Sequence, residues 1–184
     1  VVVVGVDDPM IQQKIENRDL VRTSDGVELD AKTLGAHIGL AKSVKDYDLQ
    51  RLITFHSRIE SAKEFSSQHE HVLSLIPAND RASDSLVADY VSGDMSTGDR
   101  SRKLNRLRNL AQDERAILAN ARCLSEGVDV PALDGVAFID PRKSQVDIIQ
   151  AVGRAIRKSE DKTHGTIVIP VFIEDGDDPE ESIE

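Results

Sequence analysis

The chain has 184 residues, 39% of them hydrophobic but only 3% aromatic, with no Trp and a formal net charge of −10. That length buries one sizeable core, which must be aliphatic. The longest apolar run, at residues 1–4, is far too short to cross a membrane. The acidic balance also excludes strong DNA binding by bulk attraction.

Residues 1–6 form a β-branched run that predicts a strand, ended by Asp7-Asp8-Pro9. Residues 10–30 have no clear period and hold a turn signal, Ser24-Asp25-Gly26, so they read as a connection. A helix is predicted over 31–47, with Asp30 as N-cap and Leu34, Ile38, Ala41 and Val44 or Lys45 along its buried face.

From Arg51 short strands and helices alternate. A strand at 52–55 runs into a helix at 57–67, where Ser57 and Glu60 have capping-box spacing. Residues 69–83 resist assignment. A strand at 87–91 and a turn at Ser92-Gly93-Asp94 follow, then a helix through Ala111. Ser96 and Asp99 cap that helix, and Leu104, Leu107 and Ala111 are expected inward. Strands are predicted at 116–119, 136–139 and 166–172. Between the last two, Ser144 and Asp147 open a helix that carries Gln150. Alternating elements of this kind predict an α/β fold: a mostly parallel sheet with helices on both faces.

The most specific pattern is Gln150-Ala-Val-Gly153-Arg154-Ala-Ile-Arg157. Steps of four and three put Gln150, Arg154 and Arg157 on one helix face. Two guanidiniums and an amide suit a multiply charged anion such as a nucleoside triphosphate. For the Arg pair alone, a salt-bridged surface face is the plain alternative. About twenty residues upstream stands Ser125-Glu126-Gly127-Val128-Asp129-Val130-Pro131, after an apolar run. There Gly127 permits a tight turn, and Asp129 is able to accept hydrogen bonds from ribose hydroxyls.

These two segments resemble motifs V and VI of superfamily 2 helicases, and the resemblance covers about residues 52–172. It implies a RecA-like fold, the second motor domain of a helicase. It further implies that Arg157 is the principal arginine finger, Arg154 its partner, and Gln150 the residue that orders them and the attacking water. Gly127, Asp129, Arg154 and Arg157 would then contact ATP. Ile53-Thr54-Phe55-His56-Ser57-Arg58 is similar to motif IV, and Val91-Ser92-Gly93-Asp94-Met95-Ser96 to the segment called motif IVa. The resemblance implies nucleic-acid backbone contacts at Ser57, Arg58, Gly93 and Asn120. Many helicases carry a Thr near Ala121, and this chain does not. Arg100, Arg102, Lys103, Arg106 and Arg108 form a basic cluster behind Gly93; it suits tracking of phosphates and equally a solvated face.

The wording of 124–150 resembles restriction-modification translocases and related DEAD/DEAH-type proteins. DEAD-box RNA helicases usually place a His where Gln150 stands. The sequence has no G-x-x-x-x-G-K-[ST] phosphate loop. ATP with Mg²⁺ is therefore expected mainly on a first RecA-like domain of the same polypeptide, and the isolated chain is expected to be inactive.

The expected division is 1–48 as linker and end of the preceding domain, 49–173 as the helicase domain, and 174–184 as an acidic tail. The tail holds seven carboxylates and no Lys or Arg, leaving a net charge of −3 on the rest. A chain that opens on Val reads as a piece of a larger protein. No signal-peptide pattern is read in it, and the single cysteine, Cys123, excludes an internal disulfide and a cysteine zinc cage. Cys123 reads as a small buried apolar residue, and the compartment expected is the cytoplasm. His69-Glu70-His71 is expected to be a polar helix end, not a metal site. DNA is the expected partner, with no membrane involved. An RNA or repair helicase and a non-catalytic RecA-like interaction module are the other readings.

Overall fold

Apolar residues fill consecutive positions in the chain's short strands, a pattern that buries a strand on both faces. The computed structural model describes residues 2–5, 20–22, 28–82, 86–121, 123, 133–139 and 165–171, and in it these runs form one six-stranded sheet. The strands are β1 (Val2–Gly5), β4 (Arg51–His56), β5 (Leu86–Ser92), β6 (Arg115–Ala121), β7 (Gly135–Phe138) and β8 (Thr166–Val171). Their order is β1-β8-β7-β4-β6-β5, and every pairing is parallel. A separate antiparallel ribbon joins β2 (Leu20–Arg22) to β3 (Glu28–Asp30). Its turn signal, Ser24-Asp25-Gly26, lies outside the described residues.

Among the described residues, three helices cover the sheet: α1 (Ala31–Asp46), α2 (Ile59–Leu75) and α3 (Thr97–Arg108). Period-two alternation divides the core between the two faces. Leu52, Ile117, Ala119, Ala137 and Val168 pack with Ala36, Leu40 and Val44 of α1 and Ala62, Phe65 and Val72 of α2. Their sheet neighbours Ile53, Leu118, Val136 and Phe138 pack on the other face with Leu107 of α3. The α/β architecture with both faces covered is the one expected.

Local chemistry sets the helix ends. Asp30 caps α1, its carboxylate accepting from the Thr33 amide at 2.9 Å. At the other end the Leu49 amide bonds back to the Val44 carbonyl and the Asp48 amide to Lys45. That pair of bonds is a Schellman ending. Asp48 takes the left-handed position, at φ 49°, that glycine usually holds. Ser96 caps α3 as expected: its hydroxyl accepts from the Asp99 amide at 3.1 Å and donates to the Asp99 carboxylate at 2.7 Å.

Several local expectations need correction. The N-cap of α2 is Arg58, with no side-chain cap bond, and not Ser57, which stands one residue before it. The helix runs on to Leu75, through residues that gave no pattern, because His69, Val72 and Leu73 are all buried. Helix α3 stops at Arg108, leaving Ala111 exposed beyond it. The most buried residues of α1 include Ala36, His37, Leu40 and Val44, whereas Leu34 and Ile38 are only half-buried. A helix squeezed between the sheet and α2 is apolar on more than one stripe.

The segment before residue 49 is tied closely to this core. β1 extends the sheet beyond β8, and Leu40 of α1 is fully buried. The start of β4 is pinned by Asp134, whose carboxylate accepts from the Gln50 and Arg51 amides at 3.1 and 2.7 Å. At Gly135 a Cβ would stand 3.1 Å from the Thr166 carbonyl, so the close approach of β7 and β8 favours glycine there. Among the described residues, no helix is long and apolar enough to cross a membrane.

Candidate nucleic-acid interface

Parallel strands deliver the loops that follow them to one side of a sheet. The register fixes which residues meet there. Phe55, Asn120 and Val91 share one row of β4, β6 and β5, and His56, Ala121 and Ser92 form the next. Ser57 and Arg58 therefore leave β4 beside the place where Gly93 leaves β5, with the end of β6 between them. Neighbouring strands lie about 4.8 Å apart, so the loops after β4 and β5, two spacings apart with the end of β6 between, stand roughly 10 Å from each other. The structure thus brings Ser57, Arg58, Gly93 and Asn120 to one edge.

They are not equivalent at that edge. Arg58 is exposed at the N-cap of α2, and Gly93 is exposed in a turn closed by the Met95 amide on the Ser92 carbonyl at 3.3 Å. Ser57 is half-buried. Asn120 is only 3% exposed, and its Oδ1 accepts from the Cys123 amide at 3.4 Å and from its thiol at 3.1 Å. Its carbonyl oxygen thus shapes the turn after β6. Cys123 itself packs half-buried against the core, and burial pushes its thiol pKa up, against the opposing pull of Arg100.

The basic helix α3 is partly neutralised. Lys103 pairs with Asp89 of β5 at 2.5 Å and lies 4.8 Å from the centre of the Tyr90 ring. Arg102, 80% exposed, pairs with Asp99 at 2.8 Å; such a surface pair adds little stability. Arg106 and Arg108 are exposed.

A cavity of about 470 Å³ opens between the first turns of α1 and α2, where sequence reading gave no hint of one. Lys32, Thr33 and Asp30 form one wall, Ser61, Glu64 and Gln68 the other, with His56 and Arg58 between them. Two acids and two bases line it, so it is polar without being strongly attractive to anions. Below it His37, His56 and His69 gather round Phe65. This corrects the expected polar helix end: His69 is mid-helix and fully buried. Its place on the inner face, one turn after Phe65, was the available signal. Among the described residues no cluster of His, Cys, Asp and Glu is arranged to hold a metal ion. Gln150, Arg154, Arg157, Gly127 and Asp129 lie outside the described residues, as does the Ser144–Asp147 cap.

Comparison with known proteins adds the family. Residues 38–159 match the helicase conserved C-terminal domain. Over 60 residues, 33% of its length, the chain is 47% identical to a probable helicase of African swine fever virus (isolate Pig/Kenya/KEN-50/1950), of which it spans 7%. It is 31% identical over 83 residues to a putative ATP-dependent helicase of Saccharomyces cerevisiae, covering 45% of this chain and 12% of that protein. Among solved structures, an ATP-dependent Type ISP restriction-modification enzyme, LlaBIII, bound to DNA matches 97% of this chain at 33% identity and TM-score 0.77. The match takes in 12% of that enzyme. Domain 2 of the DEAD-box helicase Mss116p, bound to an RNA duplex, shares the fold at 18% identity and TM-score 0.56, over 77% of this chain and 50% of that one. A six-stranded parallel sheet covered on both faces, with motifs V and VI inside the matched span, places the chain in the helicase conserved C-terminal domain family of superfamily 2, as a RecA-like domain.

Proposed function

We propose that this chain is the second motor domain of an ATP-dependent DNA helicase or translocase of restriction-modification type. The observation that carries the reading is the 33% identity along 97% of the chain to a DNA-bound Type ISP enzyme. DNA is preferred over RNA on that ground, since the RNA-bound neighbour shares only the fold. The chain spans a small part of each relative, so the whole activity belongs to a longer protein. Residues 49–173 would form the core of the motor domain, with 1–48 joining it to a first RecA-like domain and 174–184 as a solvated acidic tail.

ATP, held with Mg²⁺ mainly by the first domain, supplies the phosphoryl transfer that drives closing and opening of the pair. The residue types on this chain suit a nucleoside triphosphate: guanidiniums at Arg154 and Arg157 and the Gln150 amide would donate to phosphate, and Gly127 and the acceptor Asp129 would meet the sugar. Arg157 would sit against oxygens on which charge builds during hydrolysis, a role worth roughly 10³ to 10⁵ in rate in other nucleotide hydrolases. Gln150 would orient the finger and the attacking water. Arg58, the Gly93 backbone and the turn shaped by Asn120 would hold a DNA strand by phosphate and sugar. Such contacts position a strand without reading its sequence.

The test is Arg157→Ala in the full-length protein, with nucleotide affinity and single-turnover hydrolysis measured separately. Hydrolysis should be lost while affinity largely survives, because the finger acts on the transition state. Lost affinity with surviving hydrolysis of bound ATP would make Arg157 a ground-state anchor and overturn the assignment. The 184-residue chain alone should turn over no ATP.

A further inference from the structure

We propose that His37 of α1 and His69 of α2 form an acid-sensitive latch that fastens α1 to the rest of the domain and releases it in mildly acidic solution. The two rings face each other with their Nδ1 atoms 2.8 Å apart, and neither is exposed at all. One ring must donate and the other accept, so the pair requires two different neutral tautomers. Neither Nε2 has a hydrogen-bond partner. His37 is stacked on Phe65 at 3.9 Å between ring centres and 10° between planes, which leaves no room for water beside that face.

Protonation has nowhere favourable to go in this arrangement. A first added proton creates a charged ring inside the core. A second puts N–H against N–H at the 2.8 Å contact. Of the groups facing the pair, His56 opposes charge, while the carboxylates of Asp30 and Glu64 are offset by the cations of Lys32 and Arg58. From β4 comes His56, its ring 5.0 Å from that of Phe65 and its Nε2 2.9 Å from the Thr54 hydroxyl. Asp30 and Lys32 of α1, Glu64 of α2 and Arg58 line the cavity on the solvent side. The Phe65 face offers a charged His37 a cation–π contact, but that attraction is smaller than the desolvation of a buried ion.

The pKa values agree in direction. Burial lowers that of His69 from the ordinary 6.5 to about 4. Burial, then repulsion from His69 and His56, lowers that of His37 well below 6.5. Stability from the pair is therefore complete above pH 6.5 and falls as the pH drops toward 4, because the released state binds protons that the docked state refuses. Release of α1 exposes both rings and removes the Asp30–Lys32–Thr33 wall of the cavity beside Arg58. That consequence for DNA rests on the proposed function; the latch itself does not.

Hydrogen exchange of the purified 184-residue chain at pH 7.5 and 5.0, corrected for intrinsic rates, tests it. Protection of α1 amides should fall at pH 5.0 by roughly thirty-fold for each histidine that gains a proton on release, while amides of β4 and β6 keep theirs. The double variant His37→Leu with His69→Leu should hold α1 protection level between the two conditions. Unchanged α1 protection in the wild type, or loss in step with β4 and β6, overturns the latch. If the double variant does not fold, nitrogen-15 spectra of the wild-type imidazoles decide. One Nδ1–H and one Nε2–H neutral ring at pH 5.5 support the latch, and two imidazolium rings with α1 still protected overturn it.

Discussion

Leu40→Ala measures how far α1 belongs to this domain. Leu40 is fully buried in the cluster that joins α1 to Leu52, Ile117 and Phe65. Truncation removes three carbons, whose transfer to water accounts for about 2.4 kcal/mol at about 0.8 kcal/mol per buried methylene. The space left adds a cavity term, and buried Leu→Ala changes span about 2.7 to 5.0 kcal/mol. Because α1 is held between the sheet and α2, collapse into the space is restricted, which favours the upper half of that range. The chain has no Trp, so urea unfolding is best followed by far-ultraviolet circular dichroism. Lys32→Ala, at an exposed position of the same helix, is the control and should change stability by less than about 0.5 kcal/mol. A loss under about 1 kcal/mol at Leu40 at pH 7.5, or a change confined to the denaturant slope, would show that α1 is not docked on the sheet as described.

Other changes probe single devices. Ser96→Ala removes the cap of α3 and should cost about 1 kcal/mol in the same urea assay. Asp134→Ala strands the Gln50 and Arg51 amides at the start of β4 and should cost about 1 to 3 kcal/mol, with Asp134→Asn recovering part of it. Arg58→Ala in the full-length protein should leave the DNA-free ATPase rate unchanged and weaken its stimulation by DNA. An unchanged DNA dependence would return Arg58 to the role of an exposed helix residue.

The fold was readable because its signals are local. Apolar strands, the Asp30 cap and the Ser96–Asp99 box each declare themselves within a few residues. What failed was set by tertiary contact. The second half of α2 gave no pattern because its buried positions include His69, a polar residue that passes for surface until α1 brings His37 against it. The buried stripe of α1 was read in part: Ala41 and Val44 are buried and Leu34 and Ile38 half-buried, but Ala36, His37 and Leu40 were missed because two partners press on the helix from different sides. The end of α1 uses Asp48 where a sequence reader looks for glycine. Ser57, Arg58, Gly93 and Asn120 were singled out by the resemblance to helicase motifs; they share one edge of the sheet because each follows or ends a strand, and parallel strands end together. The cavity was missed because its walls come from two different helices, one wall from Asp30, Lys32 and Thr33 and the other from Ser61, Glu64 and Gln68.

If the proposed function holds, the same edge is where an acidic domain would meet a nucleic acid. With a net charge of −10, no broad field draws a phosphate backbone in. Much of the basic surface is already committed, as Lys103 to Asp89 and Arg102 to Asp99 show. Among the described residues, what remains favourable at the strand ends is local: the exposed guanidinium of Arg58, and backbone that Gly93 leaves open. One neutralised phosphate changes the salt dependence of binding by only about one unit of logarithmic slope. On the proposed function, a domain built this way would hold a strand weakly and let it go, as a part that releases and regrips in each cycle of ATP hydrolysis would need. Firm grip would then fall to the pairing of two motor domains, where weak contacts add because the linker keeps their effective concentration high.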